Sequence, residues 1–218
     1  REIMLVERRI RSYQAPLHQY MCGGGKRAIE IAHRRWGKDE IALAWTFQAL
    51  TDRPATYWHC LPQLNQARKA IWTAVNPHTG KRRIDEAFPV ELREVTNEQE
   101  MFIRFLNGST WQVIGSDTYD SLVGAGVAGI VFSEWALANP SAWGYLSPMM
   151  RENNGWALFI TTPRGKNHAY DMFNHAVKSD DWYAEISNAQ ATGAFSDEQL
   201  DGIRDEYVAL YGKDFGSS

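Results

Sequence analysis

A short polar stretch between two apolar segments carries the residues with the clearest chemical potential. It runs from Ala32 to Asp39 and contains Gly37-Lys38-Asp39. Against the phosphate-binding pattern GxxxxGK[ST], Gly37 and Lys38 match, whereas Ala32 stands at the first glycine and Asp39 at the hydroxyl. A glycine lets the backbone approach a phosphate, a lysine reaches its oxygens, and a carboxylate is a hard ligand for Mg²⁺. The stretch predicts a site for ATP and Mg²⁺, but it also suits a plain helix start with Asp39 complementing the helix dipole.

The segments on either side of this loop predict the elements that hold it. Ile29 and Ile31 are β-branched residues at alternate positions, which is typical of a strand. From Asp39 onward, Ile41 and Trp45 recur at roughly helical spacing. A strand, a loop and a helix N terminus form the usual setting for phosphate binding.

Two further apolar segments end in polar residues. Residues 129–132 are apolar without alternation, as in a strand buried on both faces, and Ser133 and Glu134 follow. Residues 156–160 repeat the pattern, and the hydroxyls of Thr161 and Thr162 and the cations Arg164 and Lys166 follow, placed to sense a γ-phosphate. A carboxylate at such a strand end lies where α/β sheets bind ligands and can serve as a general base toward water. The alternative is that Glu134 simply begins the next loop.

The order of elements predicts an α/β fold with a mostly parallel central sheet flanked by helices. Residues 65–75 read as a helix, and residues 101–114 read as a hairpin around Asn107-Gly108. Residues 182–186 resemble a strand, and residues 196–199 form a capping box that opens a helix. We expect a core over residues 1–179 and an acidic extension over residues 180–218.

The residues ahead of the loop have two interpretations. Tyr13 and Gln14 suit an adenine ring, which they would hold by stacking and hydrogen bonding. A short surface helix packed through Leu17 and Tyr20 explains the same residues.

Composition sets outer limits on function. Residues 1–179 carry 21 basic and 17 acidic side chains, while residues 180–218 carry 2 and 9. The basic excess is too small to establish nucleic-acid binding, and the cation run Lys81-Arg82-Arg83 more often marks solvated surface than a phosphate contact. Two cysteines without metal-ligand spacing indicate a reduced setting, and no apolar run approaches the roughly 20 residues that span a bilayer.

Taken together, these motifs resemble the ATPase domain of the large terminase subunit of tailed bacteriophages, a P-loop NTPase of the additional-strand, catalytic-glutamate type. The resemblance covers nearly the whole chain. Its features occur in family order: Tyr13-Gln14, a variant Walker A from Ala32 to Asp39, a strand ending in Glu134-Trp135-Ala136, and Thr161 to Gly165. Such enzymes usually carry a C-terminal nuclease domain, so we expect a longer polypeptide, with the segment around residues 211–215 leading to that domain.

The resemblance implies a role for each matching residue. Lys38 would bind phosphate, Arg34 would act as the Walker A arginine, Glu134 would be the catalytic carboxylate, and Thr161-Thr162 would be the coupling motif. Asp39 and Ser133 would hold the metal. The complete ATP-binding set is Tyr13, Gln14, His33, Arg34, Arg35, Trp36, Gly37, Lys38, Asp39 and Glu40.

Two positions depart from the family pattern. Ser133 stands where the Walker B aspartate is usual, and Val123 stands where many relatives have an arginine proposed to reach a neighbouring subunit. The metal would then depend on Ser133, a water or Asp39.

The implied function is ATP hydrolysis coupled to translocation of double-stranded DNA into a procapsid. The implied partners are DNA, the portal protein and the terminase small subunit, with the chain in a homo-oligomeric ring in the host cytoplasm and away from membranes. Two rivals stay open: a helicase-like ATPase that acts on nucleic acid, and a nucleotide-binding assembly module that hydrolyses little ATP, which the residues Ala32, Asp39 and Ser133 motivate.

Overall fold

The computed structural model describes residues 10–122 and 126–188, and these form one eight-stranded sheet covered by helices. The strands are β1 Arg27–Ala32, β2 Thr56–Leu61, β3 Arg93–Asn97, β4 Phe102–Phe105, β5 Thr110–Gly115, β6 Val127–Ser133, β7 Trp156–Thr161 and β8 Tyr183–Ser187. The helices are α1 Ala15–Cys22, α2 Lys38–Asp52, α3 Leu64–Ala67, α4 Arg83–Ala87, α5 Ser141–Glu152 and α6 His168–Val177.

The strand order is β3-β4-β5-β2-β6-β7-β1-β8. Strands β5, β2, β6, β7, β1 and β8 pair in parallel, whereas β3 and β4 add an antiparallel edge. Strand β7 lies between β1, which leads into the glycine-lysine loop, and β6, which ends before Glu134. This placement confirms the predicted α/β class, with an additional strand between the strand before the glycine-lysine loop and the strand that ends before Glu134.

Both faces of the central strands β1, β6 and β7 are buried, which explains their largely apolar sequences. On β1, Ala28 and Ala32 belong to the core that contains α2, whereas Ile29 and Ile31 belong to the core that contains residues of α5 and α6. Because the strands are parallel, their carboxyl ends meet at one sheet edge, where α/β proteins bind ligands. The loop after β1 and the ends of β6 and β7 therefore lie side by side.

One local prediction is confirmed here and another is corrected. The hairpin at Asn107-Gly108 joins β4 to β5, with Gly108 at a φ of 92°. The helix predicted over residues 65–75 is wrong in extent, because α3 passes into a π-helical turn, Arg68–Trp72, and ends there. The carbonyl of Arg68 accepts bonds from both the amide and the hydroxyl of Thr73, which widens the turn.

Two strands at the sheet edges bear on the predicted organisation. The sequence pattern does not predict strand β3, since its residues alternate poorly and are largely exposed. The strand expected at residues 182–186 is present as β8 and pairs with β1. The division at residue 179 stays a prediction, and the helix expected from Ser196 lies outside the described residues. Within the described part of the chain, no helix has the length and apolar character needed to cross a membrane.

An aromatic cluster on β5 supports the sheet beneath α3 and α4. The Trp111 ring is fully buried, stacks on Trp72 with centroids 6.2 Å apart, and lies 4.6 Å from Phe88. Its centroid is also 6.3 Å from that of His59 on β2, so the cluster continues toward the sheet edge described below.

We expect Trp111→Ala to lower the free energy of unfolding by about 3–5 kcal/mol, the usual loss for a buried large aromatic. Chemical denaturation measures this value. Leu106→Ala in the turn of the same hairpin is the control, because Leu106 is 65% exposed and its change should stay within about 0.5 kcal/mol. Equal losses in the two variants would contradict the packing described here.

Candidate active site

Gly37 shapes the loop between β1 and α2. Its φ of 82° lies in the left-handed region, which glycine tolerates best. A Cβ at this position would also lie 2.7 Å from the Gln14 amide nitrogen. The backbone conformation therefore favours glycine where the sequence pattern has one, and any larger residue would also have to displace the end of the Gln14 side chain. Gly37 is the residue that caps α2, whose first N–H groups lack acceptors within the helix.

The Lys38 side chain folds back beneath this loop. It is 6% exposed, and Nζ donates to the carbonyls of Ala32 at 2.8 Å and His33 at 2.9 Å. Burial lowers the pKa of Lys38, and the negative charges of Asp39 and Glu134 oppose the shift. An ammonium has three N–H donors, so two are used by the loop and one is left for an incoming oxygen.

The segment before α1 holds the loop from the other side. Gln14 Nε2 donates to the carbonyl of Trp36 at 2.7 Å and lies 3.3 Å from that of Gly37, while its Oε1 accepts from the Arg11 amide. Arg11 also donates to the carbonyl of Arg35 at 2.7 Å. The Gln14 amide is therefore already bonded at both ends in this structure. The structure therefore shows Gln14 holding the loop in place. Its role in binding adenine stays a prediction.

The other loop residues predicted to bind ATP have distinct environments. Trp36 is fully buried, and its ring lies 5.7 Å from that of Tyr13. His33 is buried, and burial with the nearby Lys38 charge lowers its pKa to about 4, so the ring is neutral at pH 7. The exposed members of the set are Arg34, Arg35 and Glu40.

Asp39, in the first turn of α2, is tied to two strands. Its Oδ1 accepts a 2.7 Å hydrogen bond from Ser133 Oγ at the end of β6 and lies 3.1 Å from His59 Nε2 on β2. Burial disfavours the charged form, but the bonds from His59 and Ser133 outweigh it, and the pKa of Asp39 is lowered. Asp39 is therefore ionised at neutral pH. The two residues predicted as metal ligands are thus in direct contact.

The chemistry of this donor set fits Mg²⁺. The described residues contain no group of three or more His, Cys, Asp or Glu side chains that would enclose a metal. Mg²⁺ does not need such a cage, since it is usually held by one or two carboxylates together with waters and substrate phosphates. Asp39 offers one carboxylate at the mouth of a phosphate-sized loop, and Ser133 offers a hydroxyl.

Glu134 follows β6 in an unusual backbone conformation. Its φ of 51° and ψ of 44° are left-handed, which is uncommon for a residue with a side chain and concentrates at functional sites. Its Oε2 lies 3.9 Å from an Arg164 guanidinium nitrogen. Burial raises the pKa of Glu134, the charge of Asp39 raises it further, and Lys38, Arg164 and Arg34 oppose the rise. A carboxylate with a raised pKa is a better match for proton transfer near neutral pH.

Thr161 connects the end of β7 to the segment that carries Glu134. Its Oγ1 accepts from the amide of Ala136 at 3.2 Å and donates to the carbonyl of Thr162 at 3.1 Å. Both threonines are buried. The predicted coupling pair is therefore linked to the segment two residues beyond Glu134 and continues toward Arg164.

Some residues that the sequence singled out have other surroundings. Arg82, from the cation run, is bonded at the surface to the Glu98 carboxylate and also donates to the carbonyl of Trp72. Val123 lies outside the described residues.

A cavity of about 390 Å³ beside the first turn of α2 is lined by Gln14 but not by Tyr13. Its other lining residues include Ile10, Arg11, Ile41, Asn76 and Lys81.

Sequence reasoning misses one member of the site, His59, and one contact within it, that of Arg164 with Glu134. His59 lies in an apolar strand, and a fully buried histidine in such a strand signals a polar partner, but the partner is 20 residues away. The sequence marks Arg164 as a cation at a strand end that could sense a γ-phosphate, but its approach to Glu134 depends on the pairing of β6 with β7.

Comparison with known proteins gives sequence and structural relatives, although no family model matches the chain. The large terminase subunit of Thermus phage G20c is 27% identical over 163 residues, which cover 68% of this chain and 33% of that protein. The chain thus spans about a third of this curated relative's length.

The fold is similar to that of two solved proteins. The ATPase domain of the Thermus phage P74-26 large terminase superposes with a TM-score of 0.77 and 20% identity, covering 97% of this chain and 96% of that one. The large terminase of another thermophilic bacteriophage, solved in complex with ADP, gives a TM-score of 0.67 at 13% identity and covers 92% of this chain and 50% of that one. This second terminase is also solved with ATP-gamma-S.

The sequence relatives and the shared fold confirm the resemblance that the motifs indicated: this chain is similar, in sequence and in structure, to the ATPase domain of a phage terminase large subunit.

Proposed function

We propose that this chain is the ATP-hydrolysing domain of a viral DNA-packaging motor. The observation that carries the proposal is the convergence of Lys38, Asp39 and Glu134 at one sheet edge, where the hydrogen bond from Ser133 to Asp39 joins the residue before Glu134 to the first turn of α2. The terminase relatives support a packaging role, and a thermophilic bacteriophage terminase with this fold is solved with ADP and with ATP-gamma-S.

In this proposal the phosphates of ATP bind at the N terminus of α2. The first N–H groups of the helix and the third donor of Lys38 would bind phosphate oxygens, and the helix dipole favours their charge. Because the loop carbonyls already fix Nζ of Lys38, the lysine is in place before the nucleotide arrives. The cavity beside Gln14 is the space that we propose for the base.

Glu134 is the group that we propose to activate the attacking water. Its carboxylate would orient the water for in-line attack on the γ-phosphate and accept its proton. Asp39, with the Ser133 hydroxyl bonded to it, would hold Mg²⁺, and the metal would supply positive charge that offsets the charge of the phosphates. Arg34, on the loop, and Arg164, beside Glu134, are the nearby cations that can stabilise the negative charge that develops in the reaction.

Coupling to movement would pass through the end of β7. Thr161 bonds to the segment after Glu134, and Arg164 lies within ion-pair distance of Glu134 itself. A change in the charge around Glu134 when the γ-phosphate leaves would therefore act on both contacts. The further parts of the proposal follow the terminase resemblance: double-stranded DNA as the translocated substrate, the portal protein and the small subunit as partners, and a homo-oligomeric ring in the host cytoplasm.

The rival with a specific observation behind it is a nucleotide-binding assembly module with little hydrolysis. Asp39 and Ser133 do not follow the usual pattern at the metal, and such changes can accompany loss of turnover. Nucleotide affinity and phosphate release, measured together on the parent chain, separate the two functions, because a module binds ATP without releasing phosphate.

Lys38→Ala should weaken ATP binding about tenfold to a hundredfold, because a hydrogen bond to a charged group is worth roughly 1.5–3 kcal/mol. Titration with a non-hydrolysable ATP analogue measures the loss. Lys69→Ala removes an exposed lysine and serves as the matched control. An unchanged affinity in the Lys38 variant would remove the phosphate-binding role of the loop.

Glu134→Gln should leave the affinity for ATP near the parent value and reduce turnover by roughly 10² or more, the usual contribution of a positioned general base. Ser133→Ala should reduce turnover less, because a neutral hydroxyl contributes little charge to Mg²⁺. Phosphate release and nucleotide affinity are measured for both, with the exposed Glu91→Gln as control. If Ser133→Ala is the more damaging variant, Glu134 does not have the proposed role.

A further inference from the structure

The carboxylate and the hydroxyl at the metal-binding positions of this chain have exchanged places. In the common arrangement the residue after the loop lysine is serine or threonine, and an aspartate from a neighbouring strand completes the Mg²⁺ site. Here Asp39 stands after Lys38, and Ser133 stands at the end of β6. The hydrogen bond between the two side chains is present at 2.7 Å, but it runs from the strand hydroxyl to the helix carboxylate.

We propose that this exchange is functional: Asp39 is the protein's ligand for the divalent cation of the bound nucleotide, and Ser133 and His59 are positioning residues that orient its carboxylate. The inference rests on the proposed nucleotide site. An exchange of this kind differs from a loss of the metal site. The carboxylate and the hydroxyl of the common arrangement are both retained, the carboxylate at position 39 and the hydroxyl at position 133.

The geometry assigns different tasks to the two Asp39 oxygens. Oδ1 takes both contacts, from Ser133 at 2.7 Å and from His59 at 3.1 Å. Among the described residues, both hydrogen bonds to Asp39 reach Oδ1 and none reaches Oδ2. The Asp39 side chain is 24% exposed to solvent. One oxygen is therefore fixed to the sheet, and the other is left for a cation beside the phosphate loop.

His59 has no counterpart in the motif and explains how one carboxylate can be held in place. It is fully buried on β2, whereas Ser133 ends the neighbouring strand β6. The two donors therefore approach Oδ1 from adjacent strands, which restricts rotation of the side chain. The Trp111 ring beside His59 limits the movement of the imidazole in turn.

The proposal is tested by reversing the exchange with substitutions at Asp39 and Ser133. We would measure the affinity for a fluorescent ADP analogue in Mg²⁺ and in EDTA, and take the ratio as the metal's contribution to binding. Asp39→Ser should reduce this ratio about tenfold, within the usual range of coupling between two ligands. Ser133→Asp alone places two carboxylates at hydrogen-bond distance and should also bind poorly. The double variant Asp39→Ser with Ser133→Asp should recover most of the parent ratio.

Asp39→Asn provides a second test if Asp39→Ser folds poorly, because it keeps the size and an acceptor oxygen but removes the charge. It should lose the Mg²⁺ effect as Asp39→Ser does. A parent-like ratio in Asp39→Asn or Asp39→Ser, or a double variant no better than the single ones, would overturn the inference alone. A parent chain that binds no nucleotide in either solution would overturn the proposed function and this inference with it.

His59 is tested by comparing two replacements. His59→Gln keeps a donor near the position of Nε2 and should retain the ratio of affinities in Mg²⁺ and EDTA. His59→Leu keeps the size of the side chain without the donor, and its ratio should fall several-fold. Both variants are first compared by thermal unfolding, so that the ratio reports positioning rather than folding. Equal ratios in the two variants would show that the His59 bond does not orient Asp39.

Discussion

The carboxylate of Asp39 is the interaction on which the arrangement of this site depends. It joins the N terminus of α2 to β6 through Ser133 and to β2 through His59. Since α2 begins directly after the loop, this one side chain fixes the loop relative to the strand that ends before Glu134. Two donors to one oxygen of this partly buried carboxylate offset the desolvation that burial imposes, because hydrogen bonds to an ionised group are stronger than neutral ones.

A second set of bonds holds the loop from outside. Gln14 and Arg11 donate to the carbonyls of Trp36 and Arg35, and Lys38 donates to those of Ala32 and His33. The loop carbonyls thus have partners on both sides, while the first amides of α2 are free of intrahelical bonds. Such a loop presents donors, rather than acceptors, to an incoming anion, which is the polarity that phosphate binding requires.

The sequence predicts the elements well wherever hydrophobic pattern and glycine chemistry decide them. The apolar run before Glu134 implies a strand buried on both faces, and the sheet order places it there. Polar edge strand β3 has no such pattern, because its side chains are largely exposed. The contact of His59 with Asp39 joins residues 20 positions apart through the packing of α2 on the sheet. No local spacing in the sequence encodes that contact, so only the folded structure could show it.

The measurement that tests the account most directly is a crystal structure of this chain with Mg²⁺ and a non-hydrolysable ATP analogue. The account predicts the phosphates at the N terminus of α2 within reach of Lys38, the metal on the carboxylate of Asp39, and Glu134 facing the γ-phosphate. A nucleotide bound away from the loop, or a metal held by Glu134 with Asp39 turned aside, would contradict it.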